Sequence, residues 1–346
     1  MSPRSVTIVD IARELGISKT TVSSALHGSG RVSETTRTLV AETAERLGYV
    51  SNRAAQRLRG SRSQSIGLHL FPNSQGRRFY MQFVFGAMEH SSEMSLDLTL
   101  LTENHRNPRP RSLWADGMLV LDPAPNDPFI EQAAKTGIPV VAVGALSPEQ
   151  RALVRGQYSG GQDEFTPIVL DRLRAAGVSR PAIITLREEF EPLWAAEARE
   201  IYMDWARREG IPPLVLPTGF WPSENEIERI LDALDDEGDI DGALVVQQGI
   251  AGPLAKRYRA RHGRELWVAT LASDPATEQG LERVMAVDLN AQTFGRNAAR
   301  FLTGLIDRDD GDFEWRVNRD VALLVPGRDP EYLLAPPLEK HQTSDR

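Results

Sequence analysis

The chain has 346 residues, a formal net charge of −8, 41% hydrophobic and 25% charged residues, and no cysteine. This length allows two or three domains with a buried core, and the missing cysteines exclude disulfides, thiolate metal sites and a cysteine nucleophile. We expect a cytoplasmic protein, because the sequence has neither a signal-peptide core nor a run of about 20 apolar residues.

The acidic total hides an uneven distribution of charge. Residues 1–62 carry ten basic and five acidic side chains, a net charge of +5, whereas residues 63–346 carry a net charge of −13. A small basic segment on a large acidic body is associated with nucleic-acid binding, since cations release the counterions of phosphates. Chance drift of charge over a segment of this length is the alternative that remains open.

Three short helices are predicted in the basic segment, because apolar residues recur there at helical spacing. Their N-terminal caps are Thr7, Ser18 and Ser33, and Gly16 ends the first helix. The predicted helices are 8–15, 19–27 and 34–47. The apolar positions of the third helix are Leu39, Val40, Ala44 and Leu47. The tight connection between the first two helices is that of a helix-turn-helix.

Residues Val6 to Gly60 resemble, nearly without gaps, the DNA-binding head and hinge of LacI-family transcription regulators of the lac-repressor type. The resemblance implies that Lys19, Thr20 and Ser24 read bases from the second helix, which enters the major groove. Lys19 suits guanine and Thr20 suits thymine, but Ser24 stands where the family commonly has arginine, which weakens a guanine contact there. The positions that match contacts to the DNA backbone are Thr7, Ser18, Thr21, Ser23, His27, Arg31, Ser33, Thr36 and Tyr49.

A simpler reading exists for the serines and for the exposed residues. Ser18 and Ser33 are explained by helix capping, with a phosphate contact as a second role. Thr20 and Ser24 are also ordinary residues for a solvated helix face. Lys19 is more informative, because the chain has few lysines, although one lysine in a first helical turn can be merely solvated.

The segment from Asn52 to Gly60 favours a helix but is too short to be stable alone. The resemblance implies that two such hinge helices pair across a dimer in the minor groove, where Leu58 wedges into a base step. The resemblance also implies that the hinge contacts DNA through Asn52, Arg53 and Ala55. A disordered linker with an incidental leucine is the alternative.

From Ser65 onward, short apolar strands alternate with helices, as in parallel α/β domains. The body resembles the family's effector domain, which has two parallel α/β lobes like a periplasmic binding protein. The predicted fold class is therefore α/β, with an N-terminal three-helix head and a hinge helix before the two-lobed domain. The predicted domains are the head 1–50, the hinge 51–62, the effector and dimerisation domain 63–335, and a polar tail 336–346. Within the body, the N-lobe is 65–160 plus 289–318, and the C-lobe is 161–288 plus 319–335.

The body departs most from the family in the cleft between its lobes. Gln157-Tyr158 and Gln247-Gln248 stand where Asp-Asn and Asn-Asp pairs are common, and the usual arginine falls on Ala198, next to Arg199. Neutral amides predict a less anionic effector, or none. The candidate effector-binding residues are Phe79, Tyr80, Gln157, Tyr158, Arg199, Trp221, Gln247, Gln248 and Asp274. The aromatic members are equally compatible with ordinary core or surface.

Two further segments are predicted from composition. The proline-rich link from Glu103 to Trp114 indicates a shortened or absent helix in the first lobe, and Asp307 to Glu314 reads as a solvated acidic loop. The sequence contains no GxSxG, P-loop, HExxH or GxGxxG motif and no paired metal-ligand spacing of histidines, which disfavours an enzyme.

These features together predict a homodimeric transcription regulator, most often a repressor in this family, on a near-palindromic double-stranded DNA operator. We expect no cofactor and no membrane partner, and an effector resembling a sugar, a nucleoside or a polyol. One alternative is a DNA-binding protein whose altered cleft binds no small-molecule effector. A protein partner then controls its activity, or nothing does. The less favoured alternative is a solute-binding protein or an enzyme with an incidental head.

Overall fold

The structure is a computed structural model that describes residues 6–26, 32–47, 49, 63–70, 77–101, 115–125, 127–188, 191–306, 308 and 312–334. The chain divides into two compact units, Met1–Ser63 and Gln64–Arg346, which are described separately. Several predicted features lie outside the described residues. They are His27, Arg31, the hinge with Asn52, Arg53, Ala55 and Leu58, the link Glu103 to Trp114, and the tail 336–346.

The first unit contains the three predicted helices. They are α1 (Ile8–Leu15), α2 (Lys19–Leu26) and α3 (Glu34–Arg46). Gly16 ends α1 in the left-handed conformation, with φ 67°, where a side chain would be strained. Because the polypeptide turns there, only three residues, 16–18, separate α1 from α2.

One small core holds these helices together. Its buried members are Ile11, Ala12, Val22, Val40 and Ala44. The prediction of an inward face was wrong for Leu39, which is 49% exposed. Val40 and Ala44 are four residues apart and share the buried face, whereas Leu39 is displaced by about 100° around the helix and faces solvent.

The second unit contains two sheets. The first has the strand order β11-β5-β4-β3-β1-β2 and is parallel throughout. Its strands are β1 (Ser65–Leu70), β2 (Asp97–Leu101), β3 (Gly117–Leu121), β4 (Val140–Val143), β5 (Gly156–Ser159) and β11 (Glu314–Val317). Its flanking helices are α4 (Arg78–Glu93), α5 (Pro128–Ala134), α6 (Pro148–Arg151) and α12 (Ala291–Ile306). Together they form the N-lobe.

The second sheet has the order β13-β12-β10-β9-β8-β6-β7, in which only β12 and β13 run antiparallel to their neighbours. Its strands are β6 (Pro181–Leu186), β7 (Val215–Thr218), β8 (Gly242–Val245), β9 (Trp267–Thr270), β10 (Val284–Asp288), β12 (Ala322–Leu324) and β13 (Glu331–Tyr332). Its helices are α7 (Gln162–Ala175), α8 (Leu193–Glu209), α9 (Glu224–Glu237), α10 (Ala251–His262) and α11 (Pro275–Glu278). This is the C-lobe.

The polypeptide passes between the two sheets three times, at 160–161, 289–290 and 318–321. Since both lobes are parallel α/β units, the loops after the carboxyl ends of their strands are the expected place for a ligand. Within the described part of the chain, no helix is both long and apolar enough to cross a membrane.

Some elements of the body were not expected from the sequence. The long helix α4 carries apolar residues on more than one face, because one side packs on α12 while Met81, Phe85 and Met88 are exposed. The helices α4 and α12 touch closely at glycines: a Cβ on Gly86 would lie 1.8 Å from the carbonyl oxygen of Gln292. Glu314, predicted to end an acidic loop, instead begins the edge strand β11. Its backbone pairs with Gly156 of β5, and this long-range pairing leaves no local sequence signal.

Candidate functional site

Helix α2 presents polar side chains away from the core of the first unit. Thr20 and Ser24 lie two positions on either side of the buried Val22, which places them about 200° around the helix from it. Thr20 is exposed, Ser24 is half-buried, and Lys19 is exposed in the first turn. The residues predicted to read bases are therefore all on α2 and accessible to a partner.

The predicted caps of α2 and α3 are present. The Ser18 hydroxyl oxygen accepts a hydrogen bond from the backbone N–H of Thr21 at 3.0 Å, and the two hydroxyls are 2.9 Å apart. Ser33 accepts from the N–H of Thr36 at 3.3 Å, again with the hydroxyls in contact at 2.8 Å. These hydroxyls thus stabilise helix starts while remaining near the surface, where helix N-termini attract anions.

The remaining described candidates of the head lie around the same core. Thr7 precedes α1, and both its N–H and its hydroxyl donate to the Asp10 carboxylate, at 2.9 and 2.7 Å. Tyr49 packs, half-buried, against the core, and Ser23 is half-buried on α2. The hydroxyl of Thr7 faces an acidic neighbour, which makes it the least suited of the set to a phosphate.

A cavity lies in the cleft between the two lobes of the body. Its volume is about 40 Å³, which is room for roughly three water molecules and by itself too little for a sugar ring. Two further cavities of about 200 and 250 Å³ share lining residues with it. Aromatic rings form most of its wall, and polar side chains enter it from both lobes. The rings are Phe79, Tyr80, Trp194, Phe220 and Phe294, and the polar residues are Arg77, Asp122, Gln162, Gln247 and Gln248.

Four of the nine predicted cleft residues line this cavity: Phe79, Tyr80, Gln247 and Gln248. The backbone N–H of Phe79 donates to Oε1 of Gln248 at 3.2 Å, a hydrogen bond that joins the two lobes. Gln247 is 2% exposed, and its amide donates to the hydroxyl of Thr218 and to the carbonyl of Gly219. The paired glutamines are therefore structural parts of the C-lobe wall.

The other five predicted residues lie outside the cavity lining. Gln157 is buried in β5 and donates to the Gly144 carbonyl at 2.8 Å, and the Tyr158 ring packs against Phe294. Trp221 is 56% exposed on the C-lobe, and Asp274 lies at the start of α11.

Arg199 does not reach the cavity because it is held by an acidic neighbour. Its Nε and Nη2 donate to the two carboxylate oxygens of Glu191, each at 3.1 Å. The preceding Ala198 is fully buried and offers no polar group. The cavity lining therefore has no arginine from α8, although Arg199 was a candidate effector-binding residue.

Asp122 is a cavity residue that the sequence analysis missed. It follows β3 and accepts a hydrogen bond from the Tyr80 hydroxyl at 2.8 Å, with only 9% of its surface exposed. Burial raises the pKa of Asp122 to about 7, although the hydrogen bond from Tyr80 opposes this. A charged residue directly after a buried parallel strand is the signal that points to such a position.

Three buried polar atoms of residues that line the cavity have no hydrogen-bond partner among the described residues. They are one acceptor, Oε1 of Gln247, and two donors, the indole Nε1 of Trp194 and Nε of Arg77. Buried groups of this kind are normally satisfied by protein, water or ligand. A ligand that offers both a donor and an acceptor would complement them.

Arg77 is the second residue that the sequence analysis missed. It precedes α4 in the N-lobe and is 6% exposed. Burial lowers the pKa of Arg77 to about 10, which leaves the guanidinium charged at neutral pH. The sequence shows only an Arg77-Arg78 pair before the aromatic residues of α4. It does not indicate the role of Arg77, because the hydrogen-bond partners of Arg77 lie more than 140 residues away.

Comparison with known proteins connects both units to one family. The family model described as "Bacterial regulatory proteins, lacI family" matches residues 7–52. The regulator CelR of Thermobifida fusca is 26% identical over 327 residues, which cover 89% of this chain and 93% of CelR. The maltose regulon regulatory protein MalI of Vibrio furnissii is 47% identical over 70 residues, 20% of this chain and 51% of MalI.

Solved structures share the fold of the whole chain. The lac repressor dimer bound to operator and the anti-inducer ONPF has a TM-score of 0.75 at 18% identity, covering 96% of this chain and all of that one. The CelR–cellobiose complex has a TM-score of 0.61 at 22% identity, covering 94% and 99%. The head therefore matches the lacI family of bacterial regulatory proteins, and nearly the whole chain is similar in sequence to the transcriptional regulator CelR and in fold to the lac repressor.

Proposed function

We propose that this regulator is a homodimeric repressor in the cytoplasm that binds a near-palindromic operator, and that a neutral small molecule in the cleft controls it. The observation that carries the proposal is the accessible polar face of α2, with Thr20 and Ser24 opposite the buried Val22. A helix with this exposure, capped at its start, suits insertion into the major groove.

The proposed base contacts come from the first turns of α2. The Lys19 ammonium donates to guanine O6 and N7, and Thr20 contacts a thymine methyl or an acceptor. Ser24 is too short for the bidentate guanine contact that arginine makes, so it adds little discrimination. The proposed contacts to the DNA backbone come from Thr7, Ser18, Thr21, Ser23, His27, Arg31, Ser33, Thr36 and Tyr49.

For the hinge, the proposal rests on the sequence alone. Asn52, Arg53 and Ala55 contact the minor groove, and Leu58 wedges into the central base step and kinks the duplex. Replacement of Leu58 by Ala is expected to reduce both operator affinity and the bend angle, measured by gel mobility of circularly permuted fragments. An unchanged bend angle would remove the wedge from the mechanism.

An apolar stripe on α4 supports self-association. Met81, Phe85 and Met88 lie at i, i+4 and i+7 and are 42–49% exposed, while the other side of α4 packs on α12. Leu100 on the edge strand β2 is exposed to a similar degree. A second copy of the chain would cover such a stripe in a two-fold interface. Phe85→Asp is expected to shift the mass in analytical ultracentrifugation towards the monomer, and an unchanged dimer contradicts this interface.

The chemistry of the cleft favours a neutral ligand rich in hydroxyl groups. Aromatic rings provide faces for stacking, and the polar atoms of Gln247 and Trp194 provide one acceptor and one donor. The related regulator CelR has been solved as a complex with cellobiose, a ligand of this chemical class. Because this cavity is only about 40 Å³, we expect a sugar or polyol to bind only if the lobes separate or if it also fills the neighbouring cavities of about 200 and 250 Å³.

Ligand screening of the full chain tests this part of the proposal. A sugar, nucleoside or polyol that binds the folded protein raises its melting temperature. The shift is expected to be lost in Phe79→Ala and kept in Phe313→Ala, where an exposed phenylalanine of the same body is removed. The same compound must change operator affinity in fluorescence anisotropy.

A second candidate function is DNA binding without small-molecule sensing. The observation that favours it is the closed cleft, in which Arg199 is held by Glu191 and Ala198 replaces the expected arginine. If none of the screened compounds shifts the melting temperature or the operator affinity, control by a protein partner, or none, becomes the better account.

A further inference from the structure

The guanidinium of Arg77 crosses the cleft from the N-lobe to the C-lobe. Its Nη1 donates to the carbonyl oxygen of Gln248, in the loop after β8, and its Nη2 donates to the carbonyl oxygen of Phe220, after β7. Both acceptors belong to the lobe opposite to α4. One side chain therefore satisfies two carbonyl groups of the other lobe.

The same guanidinium lies between two aromatic rings of the C-lobe. Its central carbon is 4.6 Å from the centroid of the Phe220 ring and 4.4 Å from that of Trp221. These distances are within the range of cation–π attraction, which is strongest with tryptophan and when the cation is desolvated. The Asp274 carboxylate adds a further attraction to the charge of Arg77. The C-lobe thus offers a site for a planar cation that this chain fills by itself.

Little else of polar character joins the lobes at this place. The hydrogen bond from the N–H of Phe79 to Gln248 is neutral and lies beside the Arg77 contacts. Charge-assisted hydrogen bonds are roughly twice as strong as neutral ones. Loss of the Arg77 side chain would therefore remove both charge-assisted hydrogen bonds between the lobes at this place.

We infer that Arg77 is an interlobe latch whose guanidinium holds the two lobes together across the cleft. In a conventional two-lobed binding domain the ligand supplies the contacts that close the lobes. Here a side chain of the protein supplies such contacts, and a ligand must share or take over the place of the guanidinium. This inference concerns the lobes alone and stands whether or not the proposed repressor function is correct.

The absence of cysteine makes a direct distance measurement possible in the full chain. Lys135→Cys, at the residue that follows α5, and Lys256→Cys on α10 introduce one exposed label site in each lobe. Pulsed electron–electron resonance between spin labels at these sites reports the distance between the lobes. The labelled protein is mixed with an excess of unlabelled protein, so that each dimer carries at most one labelled protomer. The measured distance then lies within a single protomer.

The latch predicts one narrow distance without ligand in the otherwise unchanged chain and in Arg78→Ala, which removes the exposed neighbouring arginine. In Arg77→Ala the distribution is expected to broaden or shift to a second distance. Arg77→Lys is expected to lie between the two, because an ammonium cannot reproduce the planar fork. A single unchanged distance in a folded Arg77→Ala protein overturns the inference.

Trp221→Ala provides an independent test that does not remove a buried residue. Its indole is 56% exposed, so the substitution is not expected to unfold the C-lobe. If circular dichroism shows that Arg77→Ala does not fold, the interlobe distance in Trp221→Ala tests the latch instead. A shifted or broadened distance supports the latch, and a distance identical to that of the unsubstituted chain contradicts it.

Discussion

The head and the cleft of the body carry function in different ways. In the head, Lys19, Thr20 and Ser24 lie on one short helix, within a stretch that folds around five buried side chains. In the cleft, residues as distant as Arg77 and Phe294 meet only because two sheets bring the ends of many strands together. Functional residues that lie on one helix can be recognised from a contiguous stretch of sequence. The residues of a cleft come together only through contacts between strands and helices that are distant in the sequence.

Similarity to known proteins follows the same division. The family model covers only residues 7–52, while identity over nearly the whole chain is 26% with CelR. The lobes share the fold of the lac repressor at 18% identity. The fold of the body is thus retained with few identical residues, and its cleft has chemistry of its own. Four predictions test this division, from the largest expected effect to the smallest.

Removal of a core side chain from the head tests whether the head folds as its own unit. Ile11 is fully buried in a very small core, so Ile11→Ala is expected to cost about 2–5 kcal/mol and to unfold the head. DNA binding in fluorescence anisotropy is then lost. The melting of the body in calorimetry stays unchanged. Val9→Ala, at an exposed position of the same helix, is the control. If Ile11→Ala also lowered the melting temperature of the body, the head and the body would not fold as separate units.

Replacement of Lys19 tests whether α2 reads sequence. Lys19→Ala is expected to weaken binding to the preferred duplex by about 1–3 kcal/mol, or roughly 5- to 150-fold, and to relax preference at one base pair. Lys135→Ala, at an exposed position directly after α5, is the matched control. Affinities are compared over duplexes with each base substituted in turn. A uniform loss over all duplexes would identify Lys19 as a phosphate contact.

Asp122→Asn tests the buried carboxyl group of the cleft by its pH dependence. The pKa of Asp122 is raised to about 7 in the folded chain and is lower in the unfolded chain. Between these values only the unfolded state loses its proton, so the free energy of unfolding falls as pH rises through this window. Asparagine cannot titrate and tolerates the φ of 49° at this position.

The variant is therefore expected to gain stability over the unsubstituted chain by about 2 kcal/mol between pH 5 and pH 7.5. Thermal melts of both proteins at several pH values measure this difference. Asp312→Asn, an exposed aspartate of the same body, is the control. Parallel pH profiles of the Asp122→Asn variant and the unsubstituted chain would contradict a raised pKa.

Substitutions of Ser33 separate its two proposed roles in the head. Ser33→Ala removes the acceptor for the Thr36 N–H and is expected to destabilise the head by about 1 kcal/mol. Ser33→Asp keeps a cap and favours the helix dipole, but its charge repels phosphate. Head stability is thus expected to be retained in Ser33→Asp while DNA affinity falls. If the affinity follows stability alone, Ser33 acts only as a cap.

Several elements were predictable because their signals are local. Helix α8 (Leu193–Glu209) has such a signal, since helical periodicity ends at Gly210, which takes the left-handed conformation with φ 68°. The three head helices were predicted from caps and spacing for the same reason. Strand β5 was not, because Gln157 is a polar residue in a buried strand that is satisfied by a distant carbonyl.

The cleft was predicted only in part, also for physical reasons. Phe79 and Gln248 stand at positions to which the resemblance points, although Gln248 departs from the family's usual residue there, and both line the cavity. Arg77 and Asp122 gain their character from burial and from partners in other elements. Arg199 is a predicted residue that does not line the cavity. Its guanidinium donates to the Glu191 carboxylate, and the spacing of residues in the sequence does not reveal this contact.

The central claim is that the head reads DNA as one half of a symmetric dimer. Selection of preferred duplexes by the full chain from a pool of random DNA, followed by sequencing, measures this most directly. We predict enrichment of near-palindromes with two equal half-sites, in which one guanine position loses its preference in Lys19→Ala. No enrichment over the input, or a single asymmetric half-site, would contradict the account.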